Sequence, residues 1–152
     1  SEGNIMPETH EFSGFGCTGG NLSPTLKWHN PPAGTKGFAL TVYDPDAPTG
    51  SGWWHWLVTD IPATVNQLPQ GAGSKGGSLP AGSRSFRNDY GSFEFGGACP
   101  PKGHGMHRYQ FTLWALETDT LSVPDGASAA LVGYMLNASS IGKATLPATY
   151  SR

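Results

Sequence analysis

Hydrophobic and polar positions alternate most clearly over Phe38-Ala-Leu-Thr-Val-Tyr43, where Phe38, Leu40 and Val42 share one side of an extended chain. Its β-branched and aromatic content, bounded by Gly37 and Pro45, predicts a strand. Trp53 to Asp60 is apolar almost without interruption and closes at Pro62, the pattern of a strand buried on both faces. His107 to Leu116 predicts a third. A single helical signal comes late, over Ala127 to Asn137. Ala127, Ala130, Leu131, Tyr134, Met135 and Ala138 stand there at i, i+3, i+4 spacing, with Ser122 to Asp125 as a capping-box-like entry. Residues 1–23 read as loop with one short extended piece around His10 to Phe12. Ala144 to Tyr150 reads as a closing strand that Pro147 confines to an edge. The stretches Pro69 to Gly82 and Gly91 to Gly105 exceed ordinary connections and read as functional loops or loops carrying short edge strands. No internal repeat is visible, and the sum is a single antiparallel β domain over residues 1–152 with one or two short helices packed on it.

Composition sharpens this picture. Only 13% of the 152 residues are charged, so the surface is not solvated mainly by charge. The 22 glycines and 13 prolines fit a loop-rich chain, while 11% aromatic content argues for a packed core over disorder. The nine Lys and Arg residues are scattered with no two adjacent, which does not make the clustered basic face that nucleic acid needs. No apolar stretch approaches the ~20 residues of a membrane helix. A charged n-region and apolar h-region are missing at Ser1, which leaves a cytosolic chain or one already processed.

Candidate chemistry concentrates in two regions. In Asp44-Pro-Asp-Ala-Pro48, two prolines force the chain out of a buried strand in a fixed turn and hold two carboxylates at its end. Nine residues past Asp46 stands His55, inside the Trp-rich strand. Downstream, Cys99-Pro-Pro-Lys-Gly-His-Gly-Met-His107-Arg-Tyr109 runs from a stiff loop into the third strand, and alternation puts His107 and Tyr109 on one face and Arg108 on the other. Each residue alone also has a structural reading: His55 and Tyr109 as core, Asp44 or Asp46 as a turn cap, Arg108 as a partner for such a carboxylate. Cys99, His104 and His107 are three potential zinc donors where a tetrahedral site needs four, so no metal and no cofactor is expected. Gly-x-Ser-x-Gly, Walker and His-Glu-x-x-His motifs are lacking, and the pieces point to a binding cavity rather than a reaction centre.

Together, Asp44-Pro-Asp-Ala-Pro48, Trp53-Trp-His55 and Pro100-Pro-Lys-Gly103 leading into His107-Arg-Tyr109 resemble the signature regions of the phosphatidylethanolamine-binding protein family, also called the Raf kinase inhibitor-like proteins. Tyr43 to Trp56, Gly133-Tyr-Met135 and the ending Ala144 to Tyr150 are similar to its bacterial branch. The match runs from about Phe12 to Tyr150. It implies a mainly β fold of two antiparallel sheets in a Greek-key sandwich, with few helices and a small anion pocket. That pocket would be lined by Asp44, Ala47, Trp53, His55, Pro100, His107 and Tyr109. Two departures stand out: the family's extra N-terminal strand is cut short at Ser1, and the long C-terminal helix of animal members has no counterpart after Tyr150.

Two histidines and a tyrosine supply the N–H and O–H donors a phosphate needs, the imidazoles doubly so when protonated near their ordinary ~6.5. Anion affinity is therefore expected to fall as pH rises from about 6 to about 8. Asp44 opposes a dianion unless it orients a histidine, so a phosphomonoester or zwitterionic headgroup suits the site better. The expected function is non-enzymatic binding of phosphate, a phosphomonoester or a phospholipid headgroup, with a kinase or protease as protein target and a homodimer as a further partner. The rival is a small-ester or phosphate hydrolase with His55 or His107 as general base. Cys17 and Cys99 form the only cysteine pair, each in a Gly-rich loop without metal-ligand companions, and a disulfide is their economical use. The alternative is two reduced thiols in the cytosol. The contexts Gly-Phe-Gly-Cys17 and Gly-Ala-Cys-Pro-Pro101 are similar to periplasmic bacterial members, and a bridge implies a periplasmic or secreted protein after signal removal.

Overall fold

The computed structural model describes residues 4–6, 8–14, 16–74, 77–124 and 126–151. Ten strands run in chain order: β1 Asn4–Ile5, β2 Ser13–Gly14, β3 Cys17–Thr18, β4 Leu26–Lys27, β5 Gly37–Asp44, β6 Trp53–Pro62, β7 Gln67–Leu68, β8 Arg84–Ser85, β9 His107–Leu116 and β10 Ser140–Tyr150. One helix, α1, spans Ala129–Ser139. A six-stranded sheet has the order β1-β10-β9-β5-β6-β8, and the pairs β2-β3 and β4-β7 form separate two-stranded ribbons. Its pairings are antiparallel except β1 on β10, which is parallel. The three strands expected to be central are the central three. The mainly β architecture with one α-helix is the expected one, its second layer consisting of ribbons and loops.

Alternation along the central strands divides the interior into two cores, one on each face of the sheet. Phe38, Leu40, Val42, Trp56, Val58 and Phe111 pack with Leu68, Ala72 and Phe95 from the ribbon and loop layer. Ala39, Leu57, Trp114 and Leu116 pack under α1 and the segment that leads into it. Burial on both faces explains why β6 reads as an almost continuous apolar run.

The helix forms where periodicity predicts but turns a different face inward. Its buried residues are Ala129, Val132, Gly133 and Leu136, whereas Leu131 is 39% and Tyr134 is 71% exposed. Ala130 and Ala138 are also exposed. Both sets obey i, i+3, i+4 spacing, because the segment carries apolar residues nearly all round, and periodicity alone does not choose between them. The buried set packs into the core formed by Ala39, Leu57, Trp114 and Leu116, with the Trp54 ring lying against Gly133. The cap is Ser128, whose hydroxyl accepts from Leu131 N at 3.1 Å, in place of the expected entry at Ser122 to Asp125; Asp125 lies outside the described residues. Around His10, the expected extended piece is a 3₁₀ turn over Glu8–His10 followed by a single parallel bridge of Glu11 to Ala98. The closing strand begins earlier than expected, at Ser140. β1 pairs only with Ala148 and Thr149, so past Pro147 towards Ser140 β10 is a sheet edge among the described residues.

Candidate functional site

Antiparallel pairing brings the C-terminal end of β5 beside the N-terminal ends of β6 and β9. Asp44 stands opposite Trp53, Tyr43 opposite Gln110, and Tyr150 of β10 opposite His107. Three strand ends thus share one edge of the sheet, and the loops that leave them close over it. The result is a cavity of about 450 Å³ lined by all seven expected residues, Asp44, Ala47, Trp53, His55, Pro100, His107 and Tyr109. Pro48, Thr49, Tyr90, Cys99 and Pro101 complete the wall.

The turn after β5 is fixed by its own hydrogen bonds. Asp44 Oδ1 accepts from Asp46 N at 2.8 Å, and the Tyr43 hydroxyl donates to Ser51 O at 2.8 Å. Asp46 takes no part in the cavity. Its Oδ2 accepts from Arg108 N at 2.8 Å and Nε at 2.9 Å, and its Oδ1 from Nη2 at 2.8 Å. The Arg108 side chain holds the Asp46 carboxyl down to about 2, and the pair ties the turn to β9. This is the structural role expected of Arg108.

The other carboxylate, Asp44, is buried and points at His107. His107 Nδ1 lies 2.6 Å from Asp44 Oδ2, with both side chains almost inaccessible to solvent. A ring nitrogen this close to a carboxylate is the donor, so His107 carries its proton on Nδ1 and presents Nε2 on the other side. Nε2 is met by Nδ1 of His104 at 2.5 Å, from the exposed loop ahead of β9. Asp44 thus fixes the orientation of the His107 ring.

His55 departs from expectation. Its Nδ1 donates to Gly96 O at 2.9 Å and Gly97 O at 3.1 Å, which leaves Nε2 as an acceptor. Burial pushes the imidazole down to about 4, so it is neutral near pH 7 and supplies neither charge nor a donor to the cavity. The sequence offers no sign of this, because Gly96 and Gly97 lie about forty residues away. Glycine is required there: a Cβ on Gly97 would stand 1.9 Å from His10 O, and one on Gly96 2.4 Å from the Tyr90 ring.

Tyr109 is buried, and burial raises its phenol above the ordinary tyrosine range, which keeps the hydroxyl a neutral donor at any physiological pH. The Trp53 indole N–H is buried without a hydrogen-bond partner among the described residues. Tyr90, missed from sequence, stacks on Phe12 with ring centroids 3.8 Å apart and packs edge-on to Trp53 and His55. It lies one residue before a stretch singled out as a functional loop, with no motif to flag it. Asn88 anchors that loop by donating from Nδ2 to His55 O at 3.1 Å and Glu94 O at 2.8 Å.

Cys17 and Cys99 are joined by a disulfide with Cα atoms 6.0 Å apart, which takes Cys99 out of any metal-donor set. The bridge fastens the Cys99-Pro100-Pro101 wall of the cavity to β3. Among the described residues no helix is long and apolar enough to cross a membrane.

A buried Asp–His pair at the ends of β5 and β9 is thus enclosed by a proline-rich loop and a tryptophan. The chain belongs to the phosphatidylethanolamine-binding protein family, whose model matches residues 1–151. It is 58% identical to YbcL of Escherichia coli over 149 residues, covering 97% of this chain and 81% of that protein. YbhB of the same organism is 47% identical over 150 residues, covering 99% and 94%. The crystal structure of E. coli YbcL superposes with a TM-score of 0.96 at 56% identity over 99% of this chain and 93% of that one. The fold extends to the Plasmodium vivax phosphatidylethanolamine-binding protein, with a TM-score of 0.60 at 18% identity over 99% of this chain and 78% of that one.

Proposed function

We propose that the chain is a non-catalytic binding protein whose cavity takes a small phosphate-bearing anion, either a phosphomonoester or a phospholipid headgroup. The observation that carries this reading is the Asp44–His107 pair in a cavity whose wall includes the apolar faces of Ala47, Pro48, Trp53, Tyr90, Pro100 and Pro101. With a second proton on the ring, His107 beside the Asp44 carboxylate would offer one charge-assisted donor at Nε2. A full dianion would feel the Asp44 carboxylate, so the pair favours a singly charged or zwitterionic phosphoryl group. The neutral Tyr109 hydroxyl supplies a second donor, and the apolar wall suits the organic part of the ligand. A volume of about 450 Å³ is that of a headgroup-sized site. A phosphorylated side chain on a kinase or protease presents the same group, so an inhibitory role would run through the same cavity. The disulfide supports an oxidising compartment, the periplasm or outside. A relative from Mycobacterium tuberculosis, LppC, bears the name of a candidate lipoprotein; it is 38% identical over 136 residues, covering 90% of this chain and 63% of LppC.

Titration calorimetry with phosphoethanolamine tests the reading. Affinity is expected to rise as pH falls from about 8 to about 6, and His107→Ala to weaken binding at least tenfold. Equal affinity in the variant would remove the site. The hydrolase reading has one observation in its favour, since a carboxylate-oriented imidazole is also a general base. The Thr49 hydroxyl, on the cavity wall, is spent on Gly52 O at 2.5 Å and is not offered as a nucleophile. A phosphate- or carboxylate-ester turnover abolished by His107→Ala would establish the hydrolase instead.

A further inference from the structure

We infer that His55 makes this cavity selective for a phosphoryl group that brings its own proton, a phosphomonoester monoanion, over phosphodiesters and sulfates, because its bare Nε2 is a buried acceptor that a proton-free anionic oxygen cannot meet. The inference rests on the anion reading above and narrows it to one class of ligand.

Geometry fixes the tautomer. His55 Nδ1 lies 2.9 Å from Gly96 O and 3.1 Å from Gly97 O, two acceptors for its N–H, so Nε2 keeps a lone pair. Nε2 has no hydrogen-bond partner among the described residues. It is not sealed either, because the side-chain atoms enclosed without a partner among those residues are Trp53 Nε1, Trp56 Nε1, Thr59 Oγ1 and Ser83 Oγ. His55 is 3% exposed and lines the cavity, so the surface left to its ring is cavity surface. Tyr90 and Tyr109 stand edge-on to the ring, with centroids 5.5 and 5.2 Å away, and both belong to the same wall.

An acceptor in that place is a demand on the ligand. The titratable groups around the ring are Asp44 at the end of β5, Asp89 and Tyr90 in the loop after β8, and His107 and Tyr109 on β9. A sulfate or diester oxygen carries no proton, so against Nε2 it sets lone pair to lone pair and leaves a buried acceptor unpaired. A phosphomonoester loses its second proton at about pH 6, and below that it retains one P–O–H, which donates to Nε2. Burial holds the imidazole down to about 4, below the phosphoryl group, so the proton stays on the ligand. The Asp44 carboxylate acts in the same direction, since it disfavours the dianion, and no Lys or Arg lines the cavity among the described residues. The Tyr109 hydroxyl donates to an unprotonated oxygen, so a group with both kinds of oxygen satisfies Tyr109 and His55 at once.

The test is titration calorimetry at pH 5 with methyl phosphate and methyl sulfate as probes. Both are then similar in shape and carry mainly one negative charge, and they differ by a single O–H. Methyl phosphate is expected to bind at least about tenfold more tightly than methyl sulfate, with dimethyl phosphate following the sulfate. Glycerophosphoethanolamine, a lipid headgroup whose phosphodiester has no proton, is expected to fall with the weaker probes. If it matches methyl phosphate, the inference is overturned in favour of a lipid source. Equal affinity for methyl phosphate and methyl sulfate overturns the inference and leaves the anion reading standing, whereas no binding of any probe overturns both. His55→Asn keeps a donor for the Gly96 and Gly97 carbonyls but has no Nε2, and its preference is expected to shrink to within about twofold. A preference preserved in the folded variant overturns the role of His55. The wild type alone gives a second readout: the nitrogen NMR resonance of His55 Nε2 should move on binding methyl phosphate and hold still with methyl sulfate, and a resonance unmoved by bound methyl phosphate overturns the inference.

Discussion

His107 and His55 are both buried histidines in β-strands at one cavity, yet their hydrogen bonds give them opposite work. His107 Nδ1 meets the Asp44 carboxylate, whereas His55 Nδ1 meets two backbone carbonyls in a site where burial outweighs the pull of the Asp44 and Asp89 charges. The low value of His55, about 4 against the usual 6.5, has a stability consequence. The unfolded chain takes up this proton below pH 6.5 and the folded one does not, so stability is lost as pH falls from about 6.5 through about 4. The full effect is on the order of 3 kcal/mol. His55→Asn keeps a donor for the Gly96 and Gly97 carbonyls without a titrating ring, and urea denaturation at pH 7 and 4.5 should show a flatter pH dependence for the variant. An unchanged slope would mean that another group governs this window. Asp46 has the reverse sign: its carboxyl is held down by Arg108, so its contribution is present above about pH 4 and lost as pH falls through about 2. Arg108 is 59% exposed, which limits Asp46→Asn to about 1 kcal/mol or less by thermal denaturation at neutral pH.

Among the elements, α1 is where pattern and packing part company. Leu136 and Leu131 are equally apolar and equally well placed by spacing, but Leu136 is fully buried in the second core and Leu131 is exposed. Leu136→Ala is therefore expected to cost about 2 to 4 kcal/mol, and Leu131→Ala less than about 0.5. Similar losses in a denaturant titration would contradict the observed face. Gly133 adds a sharper case. A Cβ there would lie 3.5 Å from Trp54, ordinary contact, so Gly133→Ala gains helix propensity without a clash and should stabilise by about 0.5 to 1 kcal/mol. Gly73 is the contrast, since a Cβ would stand 2.1 Å from the Trp56 ring. The strands held closely to expectation because their patterns were less ambiguous: β9 spans His107–Leu116 as predicted, and burial on both faces leaves β5 and β6 few polar residues to mislead a reading.

Across the whole molecule, the Cys17–Cys99 bridge closes 82 residues and joins the N-terminal ribbon to the cavity wall. A loop of that length is worth about 4 kcal/mol on the chain-entropy model. Reduction, or a double Cys→Ser variant, should lower the melting temperature and weaken phosphoethanolamine binding together, because Cys99 and Pro100 belong to the same wall. Loss of stability with affinity intact would confine the bridge to folding. The seven wall residues were legible in the sequence because the family motifs sit at strand ends, where chemistry depends on a short local stretch: Asp44 to Pro48, Trp53 to His55, Pro100 to Tyr109. The sequence by itself determined the three central strands and the alternation that separates His107 and Tyr109 from Arg108, and it made a Cys17–Cys99 bridge the economical use of its two cysteines. Tertiary structure decided the rest. It set which face of α1 is buried, because an all-round apolar segment takes its orientation from the sheet residues it packs on, Ala39, Leu57, Trp114 and Leu116. It made His55 a neutral acceptor, because the Gly96 and Gly97 carbonyls and the burial that set its proton come from a distant loop. It also brought Tyr90 to the wall and His104 onto His107, because hydrogen-bond partners and solvent exclusion exist only once separate segments meet.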